Sequence, residues 1–250
     1  MVCVKRVPFT GGKMVLNADS TALETRHLGF TISPHEECGV EEAVRLVEAS
    51  GGEVVVLTLG PQEAEEQLRD SMAVGADRGI LLLADREWDA QATAAAILDV
   101  VRAEEQTGGG FDLIFFGNES ADTGNYQVGI RVAYALGRPC VTGVKAVSVD
   151  GGSARLEQEV PSGRDVYVVP LPAVVTVKEG LNLPRYPSVP GRMRARSKPV
   201  KVVNMLRPEP LLDLVKLAVP PGQGRRAESL GDGPAAAPAV VDMLQQAGVV

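Results

Sequence analysis

Residues 33–83 read "SPHEECGVEEAVRLVEASGGEVVVLTLGPQEAEEQLRDSMAVGADRGILLL". The stretch alternates two periodicities. Residues 33–49 open with a helix start signal: Ser33 can cap, Pro34 takes the first helical position, and Glu36 completes a Ser-x-x-Glu capping box. Val40, Ala43, Val44 and Val47 then recur at helical spacing and supply one apolar face. Residues 52–60, "GEVVVLTLG", form a continuous β-branched run, the pattern of a strand buried on both faces. A second helix is expected over 61–76, with Pro61 near its start and Gly75 near its end, and a third β run, "RGILLL", over 78–83.

The same alternation extends outward. "MVCVKRV" (1–7) reads as a first strand, followed by a polar, glycine-containing stretch to about Phe30. A helix is expected over 88–106, a fourth strand at "FDLIFF" (111–116), and a helix ending at Gly137. Strand and helix in alternation with short connections define an α/β three-layer sandwich with a largely parallel sheet. Ligands of such sheets bind at the carboxyl ends of the strands, near the reversal of strand order. Beyond Pro139 the texture changes. Two hairpins are expected, turning at Asp150-Gly151-Gly152 and around Ser162-Gly163, followed by a strand at "LPAVVTV" (171–177). A Pro- and Arg-rich segment over 181–199 carries too many prolines for regular structure before Gly191. The division expected is an α/β domain with a hairpin extension over 1–205 and a Pro/Gly-rich C-terminal arm over 206–250, with one short helix at about 238–247.

Composition narrows the function classes. A net charge of −7 argues against general nucleic-acid binding, which uses a basic surface. Three dispersed cysteines (Cys3, Cys38, Cys140) and two histidines (His27, His35) form no metal-ligand spacing and no disulfide framework, so no metal site and a reducing, cytoplasmic compartment are expected. No uninterrupted apolar segment approaches bilayer-spanning length, so no membrane insertion is expected. No GxGxxG, no GxxxxGK[ST] and no Ser/His/Asp or Cys/His set stands out, which argues against a hydrolase or transferase.

Two constellations remain. "GNESADTGNYQVG" (117–129) joins the fourth strand to its helix with far more polar decoration than a connection needs. It reads equally as a polar loop with Asp122 or Asn125 as N-cap, or as a phosphate cradle at a helix N-terminus helped by Thr123, Gly124 and Asn125. The second is "RYPSVPGRMRARSKPVK", where Arg185, Arg192, Arg194, Arg196, Lys198 and Lys201 concentrate positive charge in an acidic chain. It is either a solvated basic strip or a docking surface, with Val189 as an apolar tip stiffened by Pro187 and Pro190.

Together these pieces resemble the small (beta) subunit of electron transfer flavoproteins. The resemblance rests on "VKRVP", "SPHEECGVEEAVRL", "LGP", "MAVGADRGILL", the 117–129 loop, "LPAVVTV", "LNLPRYPSVPGRMRARSKPV" and a late "PPG", in register from Val4 to Gly222. It implies an electron carrier subunit and not an enzyme. The small subunit of that family pairs with a large (alpha) subunit holding most of an FAD. The pair takes electrons from acyl-CoA and related flavin dehydrogenases, as in fatty acid oxidation, and passes them to a membrane quinone oxidoreductase. The expected location is cytoplasmic, or the mitochondrial matrix for a eukaryotic source.

Carried over by position, an AMP of structural role would lie against Cys3, Ser33, Pro34, His35, Glu36 and Leu59. The 117–128 loop completes that pocket through Gly117, Asn118, Asp122, Thr123, Gly124, Asn125, Tyr126, Gln127 and Val128. Phe9 and Thr10 would approach the shared FAD, with Glu159 toward the flavin in the cleft between subunits. A partner-docking loop would comprise Arg185, Tyr186, Val189, Pro190, Arg192, Met193 and Arg194, and the C-terminal arm would pack on the large subunit. The chain departs from the family in three places. Ser33-Pro34 stands where many members have Asn-Pro, and Asp122-Thr123-Gly124 replaces a more acidic run. Val189 stands where Leu is frequent, shorter by one methylene, or about 0.8 kcal/mol of burial. The loop also resembles that of electron-bifurcating members, in which a second FAD replaces AMP. A free-standing adenine-nucleotide-binding protein of similar fold is the remaining alternative.

Overall fold

Alternate residues of each central strand feed two separate cores, and this makes the sheet-bearing unit, Met1–Val215, three layers deep. In the computed structural model, which describes residues 1–9, 11, 14–212, 214–220 and 228–249, a nine-stranded sheet is built from β1 (Val2–Cys3), β4 (Val55–Gly60), β5 (Arg78–Leu83), β6 (Leu113–Gly117), β7 (Cys140–Asp150), β8 (Ser153–Val160), β9 (Gly163–Pro170), β10 (Ala173–Val177) and β11 (Val200–Asn204). Val56, Leu81, Phe115 and Val175 point into a core shared with α1 (Pro34–Ser50), α2 (Glu65–Val74) and α5 (Val189–Ala195). Their neighbours Val55, Leu57, Ile80, Leu82, Ile114, Phe116 and Val174 point into a second core against α3 (Ala90–Gly108) and α4 (Val128–Leu136). The period-2 split explains why these strands read as unbroken apolar runs.

The strand order is β11-β5-β4-β1-β6-β10-β7-β8-β9. Every pairing from β11 to β7 is parallel, while β7–β8 and β8–β9 are antiparallel hairpins turning where expected. A small antiparallel pair, β2 (Val7–Pro8) with β3 (Phe30–Thr31), closes the polar stretch after β1.

Two expectations need correcting. Residues 189–195 are helical although prolines crowd the segment, because Ser188 caps the helix and Pro190 falls in its first turn. A first-turn N–H has no intrahelical partner, so its loss there costs nothing. Residues 200–204, given no strand above, form edge strand β11 in register with β5, Val200 opposite Gly79 and Asn204 opposite Leu83. The compact unit containing all of this runs from Met1 to Val215. The second unit, Lys216–Val250, contains α6 (Ala237–Gln246) entered through a 3-10 turn at Pro234–Ala236.

Candidate functional site

The chain passes from β1 to β4 and β5 on one side, then returns to β6 on the other side of β1. The reversal of strand order therefore lies at β1, and the carboxyl ends of β1 and β6 meet there. The N-terminus of α1 and the loop after β6 close over this point. Between them lies a cleft of about 370 Å³ lined by Ser33, Pro34, His35, Glu119, Ser120, Ala121, Asp122, Thr123 and Gly124.

The wall of the cleft is fixed from behind by Glu36. The Ser33 hydroxyl accepts from the Glu36 N–H at 3.3 Å, while the Glu36 carboxyl accepts from the Ser33 N–H at 3.0 Å and from the Lys5 N–H at 3.1 Å. The capping box is thus complete and also ties the end of β1 to the start of α1. Burial pushes the Glu36 carboxyl up to about 8, against the pull of those N–H donors. Gly117 is where the backbone of β6 passes this side chain; a Cβ there would lie 2.8 Å from Glu36 Cγ.

The loop side is held by charge. Lys5 Nζ lies 2.7 Å from Asp122 and 2.5 Å from Glu87, bridging the 119–124 loop to the segment after β5. Desolvation raises the Asp122 carboxyl, but Lys5 outweighs it and holds the group below its ordinary value. His35 Nδ1 accepts from the Glu179 N–H at 2.7 Å, which places the ring proton on Nε2, 3.5 Å from Glu119. The Ser120 and Thr123 hydroxyls meet at 2.9 Å, and Gly124 takes a left-handed conformation at φ 55°.

Of the residues expected in the pocket, the structure brings Ser33, Pro34, His35, Asp122, Thr123 and Gly124 around the cleft. Glu36 and Gly117 stand behind its wall. Cys3 ends β1 and Leu59 lies one residue before the end of the adjacent β4, and burial pushes the Cys3 thiol up to about 12. The Asn118 side chain turns away and accepts from the Thr176 hydroxyl at 2.9 Å. Asn125 donates to Thr123, Gln127 accepts from Arg131, and Tyr126 is half-exposed at φ 56°. Val128 begins α4. Phe9 is exposed, Thr10 lies outside the described residues, and Glu159 pairs with Lys145 at 2.6 Å on the hairpin; neither Phe9 nor Glu159 is in the cleft wall. Lys5 went unsingled in the sequence because "VKRV" reads as strand, and a strand pattern does not say which cation reaches a distant loop.

The basic strip is neutralised in part within the chain. Arg185 pairs with Glu41 and Glu48, Arg192 with Asp70, and Lys201 with Glu104. Lys198 donates to the carbonyls of Met72 and Ala76 at the end of α2. Tyr186, Val189 and Met193 are all exposed, and so are Arg194 and Arg196. Pro190 and Arg194 adjoin Val189 and Met193 on α5.

Parallel strands with a polar cleft at the reversal of strand order define a doubly wound α/β protein of nucleotide-binding architecture. The electron transfer flavoprotein domain model matches residues 21–206. The chain is 35% identical over 224 residues to the electron transfer flavoprotein subunit beta of Syntrophomonas wolfei, covering 89% of this chain and 86% of the relative. It is 37% identical over 204 residues to the mitochondrial subunit beta of Arabidopsis thaliana, covering 80% of this chain and 79% of that one. A protein of Anaerotignum propionicum named acryloyl-CoA reductase electron transfer subunit gamma is 34% identical over 217 residues, covering 85% and 80% of the two chains. The chain belongs to the electron transfer flavoprotein family, as a beta-type subunit, and its role is in electron transfer. Among the described residues, no helix is long and apolar enough to cross a membrane.

Proposed function

We propose that this chain is the small subunit of a heterodimeric electron transfer flavoprotein, binding AMP in the cleft at the β1/β6 reversal and forming one wall of the FAD site of a large subunit. The observation that carries the reading is the cleft itself. Its volume falls in the roughly 300–1,000 Å³ range of small-molecule sites. The hydroxyls of Ser33, Ser120 and Thr123 converge with the start of α1, a 17-residue helix, which suits a phosphate group. Of the two acidic side chains in the wall, Asp122 is paired with the Lys5 ammonium and Glu119 faces the Nε2–H of a neutral His35.

In this reading no side chain of the subunit performs proton transfer or nucleophilic attack. The bound FAD supplies the redox chemistry when present. Ser33, Ser120, Thr123 and Gly124 hold the nucleotide; Lys5 and His35 keep the loop carboxylates turned from it; Glu36 fixes the spacing of strand and helix. Phe9 and Glu159 contribute on the flavin side. Tyr186, Val189 and Met193 form the contact with acyl-CoA or related flavin dehydrogenases, bringing the flavins within transfer distance before electrons pass to a quinone oxidoreductase. A second reading places a second FAD in the same cleft. One relative that serves a reductase by its name supports it, and the family resemblance adds that Thr123-Gly124 stands where a more acidic run is common.

The test is to purify the chain with its large subunit, denature the complex, and quantify flavin and adenine nucleotide per heterodimer. One FAD with one AMP is the expected result, and two FAD without AMP establishes the second reading. A nucleotide-free, stable monomer that recruits no large subunit overturns both.

A further inference from the structure

The segment that carries the exposed tip is held from both ends, and one end is a buried charge. Along α1, Cys38, Glu41, Glu42, Arg45 and Glu48 recur at three- and four-residue spacing and share one stripe. Asn182 Nδ2 donates to the Cys38 carbonyl at 3.0 Å and to Glu42 at 2.8 Å, and Arg45 Nη2 donates to the Leu183 carbonyl at 3.2 Å. Arg185 then folds over Glu41. Its backbone N–H and its Nε both donate to Glu41 Oε2, at 3.1 and 2.9 Å, and its Nη2 donates to Oε1 at 3.2 Å. Arg45 Nε completes the set on Oε1 at 2.5 Å. Glu41 is only 1% exposed. A carboxylate so buried is tolerated only where donors fill its lone pairs, as they do here.

The far end closes on α2. A Cβ on Gly191 would lie 2.5 Å from the Ala73 carbonyl oxygen, so α5 sits on α2 at a distance that requires glycine. Arg69 Nη1 donates to the carbonyls of Ala195 and Lys198 at 2.7 and 2.6 Å. Between the two anchorages stand Tyr186 (97% exposed) and Val189 (73%), with Met193 (68%) beside them.

We infer that Glu41 and Arg185 are positioning residues for partner docking. Glu41, from inside the protein, sets where the 185–193 tip stands, and Arg185 acts through Glu41 without touching the dehydrogenase. The inference rests on the proposed docking role of the tip and assigns its geometry to an ion pair shared with α1. A tip ordered before encounter loses less conformational freedom on binding.

The experiment uses the flavin-loaded complex with Glu41→Gln, Arg185→Met, the double variant and, separately, Val189→Ala. Two quantities are read: hydrogen exchange of peptides covering 182–198, and KM and kcat for electron uptake from a medium-chain acyl-CoA dehydrogenase reduced with octanoyl-CoA. Each single ion-pair variant should speed exchange over 182–190 while 191–198 stays protected, and raise KM about tenfold with kcat unchanged. The double variant should be no worse than either single, since residues that act as a unit are non-additive. Unchanged exchange overturns the inference. So does a KM effect of Arg185→Met that Glu41→Gln lacks, or effects that multiply, since either makes Arg185 a direct contact. Where Glu41→Gln does not fold, Arg185→Met decides alone through exchange, because Arg45 still satisfies Glu41. If Val189→Ala leaves KM unmoved, the docking role fails, and the exchange data still decide whether the ion pair fixes the segment.

Discussion

Replacing Gly117 with Ala places one methyl group against the residue that fixes the cleft wall. Its Cβ would sit 2.8 Å from Glu36 Cγ, 3.3 Å from the Glu119 carbonyl oxygen and 3.4 Å from Ser33 Oγ. Carbon–carbon contacts settle at about 3.5–4.0 Å, so Glu36 must retreat by roughly 1 Å. Its bonds to the Ser33 and Lys5 amides, at 3.0 and 3.1 Å, then stretch beyond hydrogen-bond range. Loss of the cap costs about 1 kcal/mol, and overpacking adds about 1–3 kcal/mol. A total near 3 kcal/mol lowers Tm by about 6–12 °C for a domain of this size. The assay is urea unfolding followed by circular dichroism, with adenine-nucleotide content measured on the same samples. Gly110→Ala serves as control, because a Cβ there meets nothing within 4 Å. The midpoint should fall for Gly117→Ala and hold for Gly110→Ala, and nucleotide content should fall only in the first. If the two variants unfold alike, the capping box does not stiffen this wall and the steric reasoning is wrong.

Two further perturbations use charge. Glu36 has a folded-state value raised to about 8 from 4.5, so its contribution to stability is fully present below 4.5 and is lost as pH rises through about 8. Glu36→Gln should flatten that slope in urea midpoints measured from pH 5 to 9; an unchanged slope would place its origin elsewhere. Asp122 has the opposite sign: its folded value is lowered, so its contribution holds above the ordinary carboxylate value of 3.8 and is lost as pH falls through the folded one. Lys5→Met removes the cation responsible and should cost about 1 kcal/mol at pH 7, given the partial exposure of the pair. That gap to the wild type should close on acidification, and a gap independent of pH would mean that Lys5 acts only through packing.

The alternation of apolar faces over 33–83 carries the architecture, since period-2 runs and a capped 3.6-period helix depend on local sequence alone. The capping box at Ser33–Glu36 is legible for the same reason. Edge strand β11 is not. Both of its faces are only partly covered, Val200 against one core and Val203 against the other, and Val200–Asn204 follows a basic segment with no turn signal to open it. The helical state of 189–195 was obscured by counting prolines without asking which turn they occupy. Charge misled in another way. A cluster of arginines in sequence looks like a free basic surface, but Glu41, Glu48 and Asp70, which neutralise part of it, lie more than a hundred residues away along the chain. Lys5 reaches Asp122 across a similar separation, and such pairings exist only after the sheet is assembled.

Helix α1 serves the molecule at both of its levels. Its first turn frames the cleft, and its outer stripe carries the carboxylate under Arg185. From His35 to Glu48 is about 20 Å at 1.5 Å per residue. One rigid rod therefore acts as a spacer between the cleft and the tip, and its length is written in the number of helical residues and not in the loops. Substitutions in the loop can change the surface of the tip without altering the cleft. A single residue inserted into α1 would rotate the stripe by about 100° and separate the two sites' alignment at one stroke.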